Sequence, residues 1–208
     1  MRRKLHWSDW NPGLDNDQLT LQQVLSSMPA AAPEAIPWQV RVLENPLSAL
    51  AFPGAVSLTR HDAIHALLGR GLSNQDEAFV IGYTMGAASN IRDWQFAVFR
   101  FAALRLYPKT YRFSASDLVA FDLGYSQGRT GKARDLQEVP FENLSEHTLA
   151  QLRRDIGIDV HSLHAAYRAE ASRIPHTPAS RRLDQDFRGV DPSDLHPPQG
   201  TESDWKRE

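Results

Sequence analysis

No cysteine occurs in the 208-residue chain, so disulfides and thiolate ligands are excluded and any metal site must use nitrogen and oxygen donors. No apolar run approaches the about 20 residues that a membrane-spanning helix needs. The opening MRRKLHWSDW is basic but has no apolar stretch behind its charges, so it does not read as a secretory leader. A formal net charge of −2 gives no general attraction to nucleic acid or to an anionic membrane, and no nucleic-acid partner is expected. Internal repeats are absent. So is a phosphate-binding loop, because GRTGKAR (128–134) lacks the full G-x-x-x-x-G-K-[ST] pattern. Arg129, Lys132 and Arg134 in that segment suit either a phosphate or a solvated turn.

What the chain does contain is ordinary for a soluble domain, with 41% hydrophobic and 23% charged residues, and a cytoplasmic setting is the default. The expected fold is all-α, a single-domain helical bundle with an irregular N-terminal arm (1–50) and an extended C-terminal tail (176–208). Within the arm, Leu19, Leu21, Val24, Leu25 and Met28 suit one short helix, and MPAAAPEAIP reads as a meander. Trp38–Glu44 alternates as a short strand would, although a helical turn fits equally well. The arm is assigned a structural role, wrapping the core or a second subunit of a homodimer.

The helical domain is expected over residues 51–175. Ser57 or Thr59 can cap a first helix that Gly69 and Gly71 end, and Ser73-Asn-Gln-Asp76 resembles a capping box for a helix over 74–88. In that helix Gly82 and Gly86 allow close approach of another helix or of a ligand, with helix packing the simpler reading. Trp94–Tyr107 is apolar nearly all round and is expected to be buried, stopping at Pro108. Further helices are expected from Ser114 or Ser116, from Ser145 to Gly157, and over 160–174. Beyond 175 the tail is expected to stay disordered or dock as a strap.

The chemistry concentrates in RHDAIHALLGRGLSNQDE (60–77). His61 and His65 are four residues apart, about 40° around a helix, and Asp62 lies about 100° from His61. Glu77 follows His65 by twelve residues, across a turn and in the first turn of the next helix. Two helices joined by that turn can close His61, Asp62, His65 and Glu77 on one divalent ion. Zinc, iron, manganese and cobalt all suit such ligands, and the composition does not choose among them. Asp62 is either a ligand or a group orienting a histidine, and Glu77 or Asp62 is the candidate general base. Asp76 could replace Glu77 but points about 100° away. The competing reading pairs Asp62 and Glu77 with Arg60 and Arg70 and leaves His61 in the core. The pattern is not the H-E-x-x-H of zinc proteases, and a metallophosphohydrolase would need further ligands, for which Asp122 is the only suggestion.

The H-D-x-x-H-x11-E set resembles the signature of the coenzyme Q (ubiquinone) biosynthesis family often called Coq-four. PGAVSLTRHDAIHALLGRG is similar to the family's approach to the motif. GYSQGRTGKARDLQEVPFENLSEHTLAQLRRDIGI (124–158) is similar to its C-terminal part, ending in L-x-x-L-R-x-x-x-G-I. The likeness covers roughly residues 52–158, while the proline-rich arm and the charged tail depart from it, as in a divergent member. The resemblance implies a helical fold, a divalent metal on the four motif residues and an apolar cavity for a polyprenyl chain. It implies oxidative decarboxylation with hydroxylation at ring carbon one of a polyprenylated aromatic precursor. Other enzymes of quinone biosynthesis are implied as partners, at the inner face of a membrane. Phe79, Tyr83, Phe96 and Phe99 are the candidates for contacting such a lipid or substrate. The alternative functions are a non-catalytic lipid-binding scaffold with a structural metal site, or a metallophosphohydrolase.

Overall fold

A computed structural model of the chain describes residues 10–29, 58–105 and 112–184. Among them, eight α-helices follow one another: α1 (Leu21–Ser27), α2 (Leu58–Leu68), α3 (Asn74–Ala87), α4 (Asp93–Arg105), α5 (Ala115–Thr130), α6 (Leu149–Ile156), α7 (Val160–Arg173) and α8 (Pro178–Asp184). The described residues contain no strand, only an isolated bridge between Thr20 and Thr148, so the all-α expectation holds. None of these helices is long and apolar enough to cross a membrane.

Local sequence explains where the helices start. Thr20, Ser73, Ser114 and Thr148 each accept from the backbone N–H three residues on, while Gln23, Asp76, Asp117 and Gln151 return the bond. The expected start at Ser145 is three residues early, because Thr148 and Gln151 complete the box and the Ser145 carbonyl accepts from Gln22 N–H instead. Gly69 (φ +65°) and Gly157 (φ +87°) end α2 and α6 in the left-handed conformation that side chains disfavour.

The centre of the bundle is the α3–α5 crossing, the most extensive helix pair. Gly82 and Gly86 of α3 face Gly124 and Gly128 of α5. A Cβ on Gly82 would collide with the Phe121 backbone, and one on Gly124 with the Phe79 backbone. These glycines therefore serve helix packing, not a ligand. Phe79, Val80, Leu118 and Phe121 bury the surrounding surface. α7 lies on α5, α8 on α7, and α2 packs against α1 and α6.

Helix α4 departs from expectation. Phe96 stacks on Phe121 and Tyr125 (5.3 and 4.2 Å), and Phe99 on Phe121 (5.2 Å). The opposite face, Trp94, Val98 and Phe101, is 59%, 45% and 59% exposed, so the helix is not buried all round. The body also exceeds 51–175 at both ends. Trp10, Leu14, Leu21 and Val24 are buried core, and α8 buries Ala179, Ser180 and Leu183 where a disordered or strap-like tail was expected. The expected strand or turn at 38–44 lies outside the described residues.

Candidate metal centre

Helix α2 carries His61 and His65, and the first turn of α3 carries Glu77. The link between them is closely held. Arg70 N–H bonds the His65 carbonyl (3.0 Å) and Gly69 N–H the Ala66 carbonyl (3.3 Å), the paired bonds that close a helix around a left-handed glycine. The remaining C-terminal carbonyls of α2 are met by distant side chains. Arg153 donates to Leu67 O (2.9 Å) and reaches Ala66 O, and the Tyr167 hydroxyl donates to Leu68 O. The guanidinium of Arg153 also binds Asp17 Oδ1 (2.7 Å), Asn16 Oδ1 and Leu14 O, anchoring the N-terminal segment to the end of α2.

Arg70 is fully buried and locks the turn itself. It bonds both carboxylate oxygens of Glu170 in α7 (3.0 and 3.2 Å), and its Nε lies 3.2 Å from Asp76 Oδ1. Arg182 of α8 holds the other Asp76 oxygen at 2.7 Å. Asp76 is thereby committed to the cap of α3 and to two arginines, and does not substitute for Glu77. Arg60 pairs with Glu142 (3.0 Å) and donates to Gln137 O. The arginines that could have paired with Asp62 and Glu77 are thus engaged elsewhere.

Three side chains bring two imidazole nitrogens and the two oxygens of one carboxylate together at the open side of this frame. His61 Nε2 lies 3.0 Å from His65 Nε2 and 2.9 Å from Glu77 Oε2, and His65 Nε2 lies 3.3 Å from Glu77 Oε1. Donors sharing one ion at bond lengths of about 2.1 Å are separated by about 3.0 Å in an octahedral arrangement and about 3.4 Å in a tetrahedral one, so the observed spacing fits a common cation. Without one, the arrangement is chemically awkward. Two imidazole nitrogens and a carboxylate face each other, and a proton placed between any two leaves the third contact unsatisfied. His65 is fully buried, and its Nδ1 has no hydrogen-bond partner. Burial works to raise the Glu77 carboxyl pKa, but the His65 and His61 rings outweigh it and hold that carboxyl well below the usual carboxylate range.

Asp62 is half-buried beside this group but contributes no oxygen to it, since its step of about 100° around α2 aims it aside. Burial raises its pKa, a shift opposed by His61 and His65 and reinforced by Glu77. Asp122 pairs with Arg100 (3.1 Å) away from the cluster. Of the residues expected to contact a lipid or substrate, Phe79 packs beneath Arg70 and against Tyr167, and Phe96 and Phe99 are locked in ring stacks. Tyr83 borders a cleft. Local pattern did not mark Arg70, Arg153, Tyr167 or Glu170 as the frame of the site, because the Arg70–Glu170, Arg153–Leu67 and Tyr167–Leu68 contacts join residues 86 to 100 positions apart. Comparison with protein-family models, curated proteins and solved structures returns no match to this chain.

Proposed function

We propose that the chain is a metal-dependent protein of ubiquinone biosynthesis, performing oxidative decarboxylation with hydroxylation at ring carbon one of a polyprenylated aromatic precursor. The convergence of His61, His65 and Glu77 carries the metal part of this reading. The substrate rests on the resemblance of the motif and of residues 124–158 to the Coq-four family. The His61 and Glu77 side chains are 20% and 32% exposed, so three protein donors leave an open side, as catalytic sites do and closed structural sites do not. A divalent ion there supplies a Lewis acid that polarises a carboxylate or phenolate and activates dioxygen or water.

The chain's own carboxylates divide the remaining work. Glu77, with its depressed pKa, stays ionised as a ligand, whereas Asp62, with its raised pKa, is suited to accept and hold a proton beside the reacting ring. Elemental analysis of protein purified without chelating resin is expected to find a divalent ion that the His65→Ala variant lacks. The wild type is expected to release carbon dioxide from a prenylated hydroxybenzoate under air. A His65→Ala variant as fully metal-loaded as wild type refutes the site. Metal without turnover, together with lipid binding that persists in His61→Ala, instead assigns a non-catalytic lipid-binding scaffold.

A further inference from the structure

A cleft of about 450 Å³ opens where the end of α5 meets the α6–α7 corner, and none of its lining residues belongs to the metal cluster. That volume is in the range of about 300–1,000 Å³ typical of small-molecule sites. Thr130 and Lys132 of the GRTGKAR segment line one wall, Arg154 and Asp159 another, Leu163 adds apolar surface, and Tyr83 of α3 completes it. We propose that this cleft binds a small phosphomonoester with an apolar body, its phosphate held by Lys132, Arg154 and the Tyr83 hydroxyl.

Three observations carry the proposal, and none depends on the metal site. The Tyr83 ring is almost wholly buried, and its hydroxyl, which makes no hydrogen bond to another described residue, keeps enough exposure to be reached from the cleft. Burial, and then the nearby Asp159 carboxylate, push its pKa up, so at neutral pH it is a fixed O–H donor suited to an oxyanion. Lys132 and Arg154 are exposed cations with no ion pair among the described residues, whereas the neighbouring Arg153 is spent on Asp17 and backbone carbonyls. The only acidic lining residue, Asp159, already accepts from Ser162 Oγ (2.6 Å) and His161 N–H (3.0 Å). Donors from three separate elements suit three terminal phosphate oxygens better than the two of a carboxylate. Leu163 and the Tyr83 ring provide the apolar wall.

Calorimetric titration of the full chain with phenyl phosphate, inorganic phosphate and benzoate tests this. Phenyl phosphate is expected to bind saturably and more tightly than the other two. Lys132→Gln and Arg154→Gln should each weaken it by about tenfold, the usual scale for a charge-assisted hydrogen bond, with metal content unchanged. Tyr83→Phe, which keeps the ring, should weaken it several-fold. Lys132 and Arg154 are exposed, so their variants fold even if Tyr83→Phe does not. The proposal is overturned by no saturation below about 10 mM, by benzoate binding as tightly as phenyl phosphate, or by unchanged affinity in Lys132→Gln/Arg154→Gln. Binding lost in His65→Ala but kept in Lys132→Gln would place the phosphate on the metal site and equally overturn it.

Discussion

Replacing Arg70 by methionine tests how the candidate metal donors His61, His65 and Glu77 are held together. The guanidinium is fully buried, bonded to both oxygens of Glu170, to the Gln75 carbonyl (3.3 Å) and against Asp76, with its carbon 4.6 and 5.0 Å from the Phe79 and Tyr167 ring centres. Methionine fills much of the same volume. It leaves Asp76 with Arg182 and Ser73, but leaves the fully buried Glu170 with only the Gln75 side-chain amide. Removing one member of a buried ion pair costs about 3–5 kcal/mol, a large share of the ~5–15 kcal/mol that holds a domain folded. At about 2–4 °C per kcal/mol for a chain of this size, the melting temperature should fall by about 6–20 °C.

A local consequence should accompany the global one. Asp76 immediately precedes Glu77, and Arg70 is the strut between the end of α2 and the first turn of α3. Without the strut, Glu77 is less firmly held against the histidines, and metal affinity should fall by about tenfold, as for other groups that orient ligands. The double variant Arg70→Met/Glu170→Met removes the stranded carboxylate and should recover more than half of the lost stability. Thermal unfolding followed by circular dichroism, with metal competition titrations on the four proteins, measures both effects. An Arg70→Met variant within about 1 kcal/mol of wild type, or a double variant as unstable as the sum of the singles, refutes the clamp.

Three further outcomes are expected. Glu77 has a depressed folded pKa, so in metal-free protein its stabilisation is present above the unfolded value of about 4.3 and lost as pH falls toward the folded one. Glu77→Gln should therefore unfold more easily than wild type at pH 7 and converge with it in acid, and a pH-independent gap in denaturant melts contradicts this. Gly124→Val should cost about 3 kcal/mol or more by driving α3 and α5 apart, while Ser126→Ala on the exposed face of α5 should change little. Trp94→Gln and Phe101→Gln should each shift stability by no more than about 0.5 kcal/mol, and a core-sized loss in chemical denaturation would show that this face of α4 is covered.

The features legible in the sequence were those whose physics is local. Ser73 and Asp76 satisfy each other three residues apart, Gly69 and Gly157 end helices by their own conformation, and His61 and His65 are brought together by one helical turn. Glu77 was legible because only a short turn separates it from them. Trp10 and Leu14 were read as irregular, correctly, but Leu14 is buried beside Arg153 and Gly69 and Trp10 beside Gly71 and Ser27, contacts that local sequence does not announce. Helix α8 offers only seven residues and few apolar side chains, so nothing in its own sequence signals that Ser180 and Arg182 bond Gln75 and Asp76. The face of α4 was misjudged because apolar composition does not say whether a partner exists. Arg153 and Glu170 were given no role and Arg70 only as a partner for Asp62 or Glu77, because each is buried where it meets a complement across the fold.

These buried charges bear on the function of the cluster. Around the cluster the caps of α1, α3, α5 and α6 are filled, the carbonyls ending α2 are satisfied, and each buried arginine has a carboxylate partner, although Arg70 Nε makes no hydrogen bond of its own. The cluster of His61, His65 and Glu77 differs in packing two imidazole nitrogens and a carboxylate about 3 Å apart, a spacing that shared protons or a cation can hold. Within the cluster the histidines and Glu77 have one another as hydrogen-bond partners, whereas Asp76 and Glu170 are each met by an arginine. A frame that instead forces electron-rich atoms together conserves a local conflict that a cation relieves. Such conflicts, set in otherwise consistent surroundings, are where functional sites are expected.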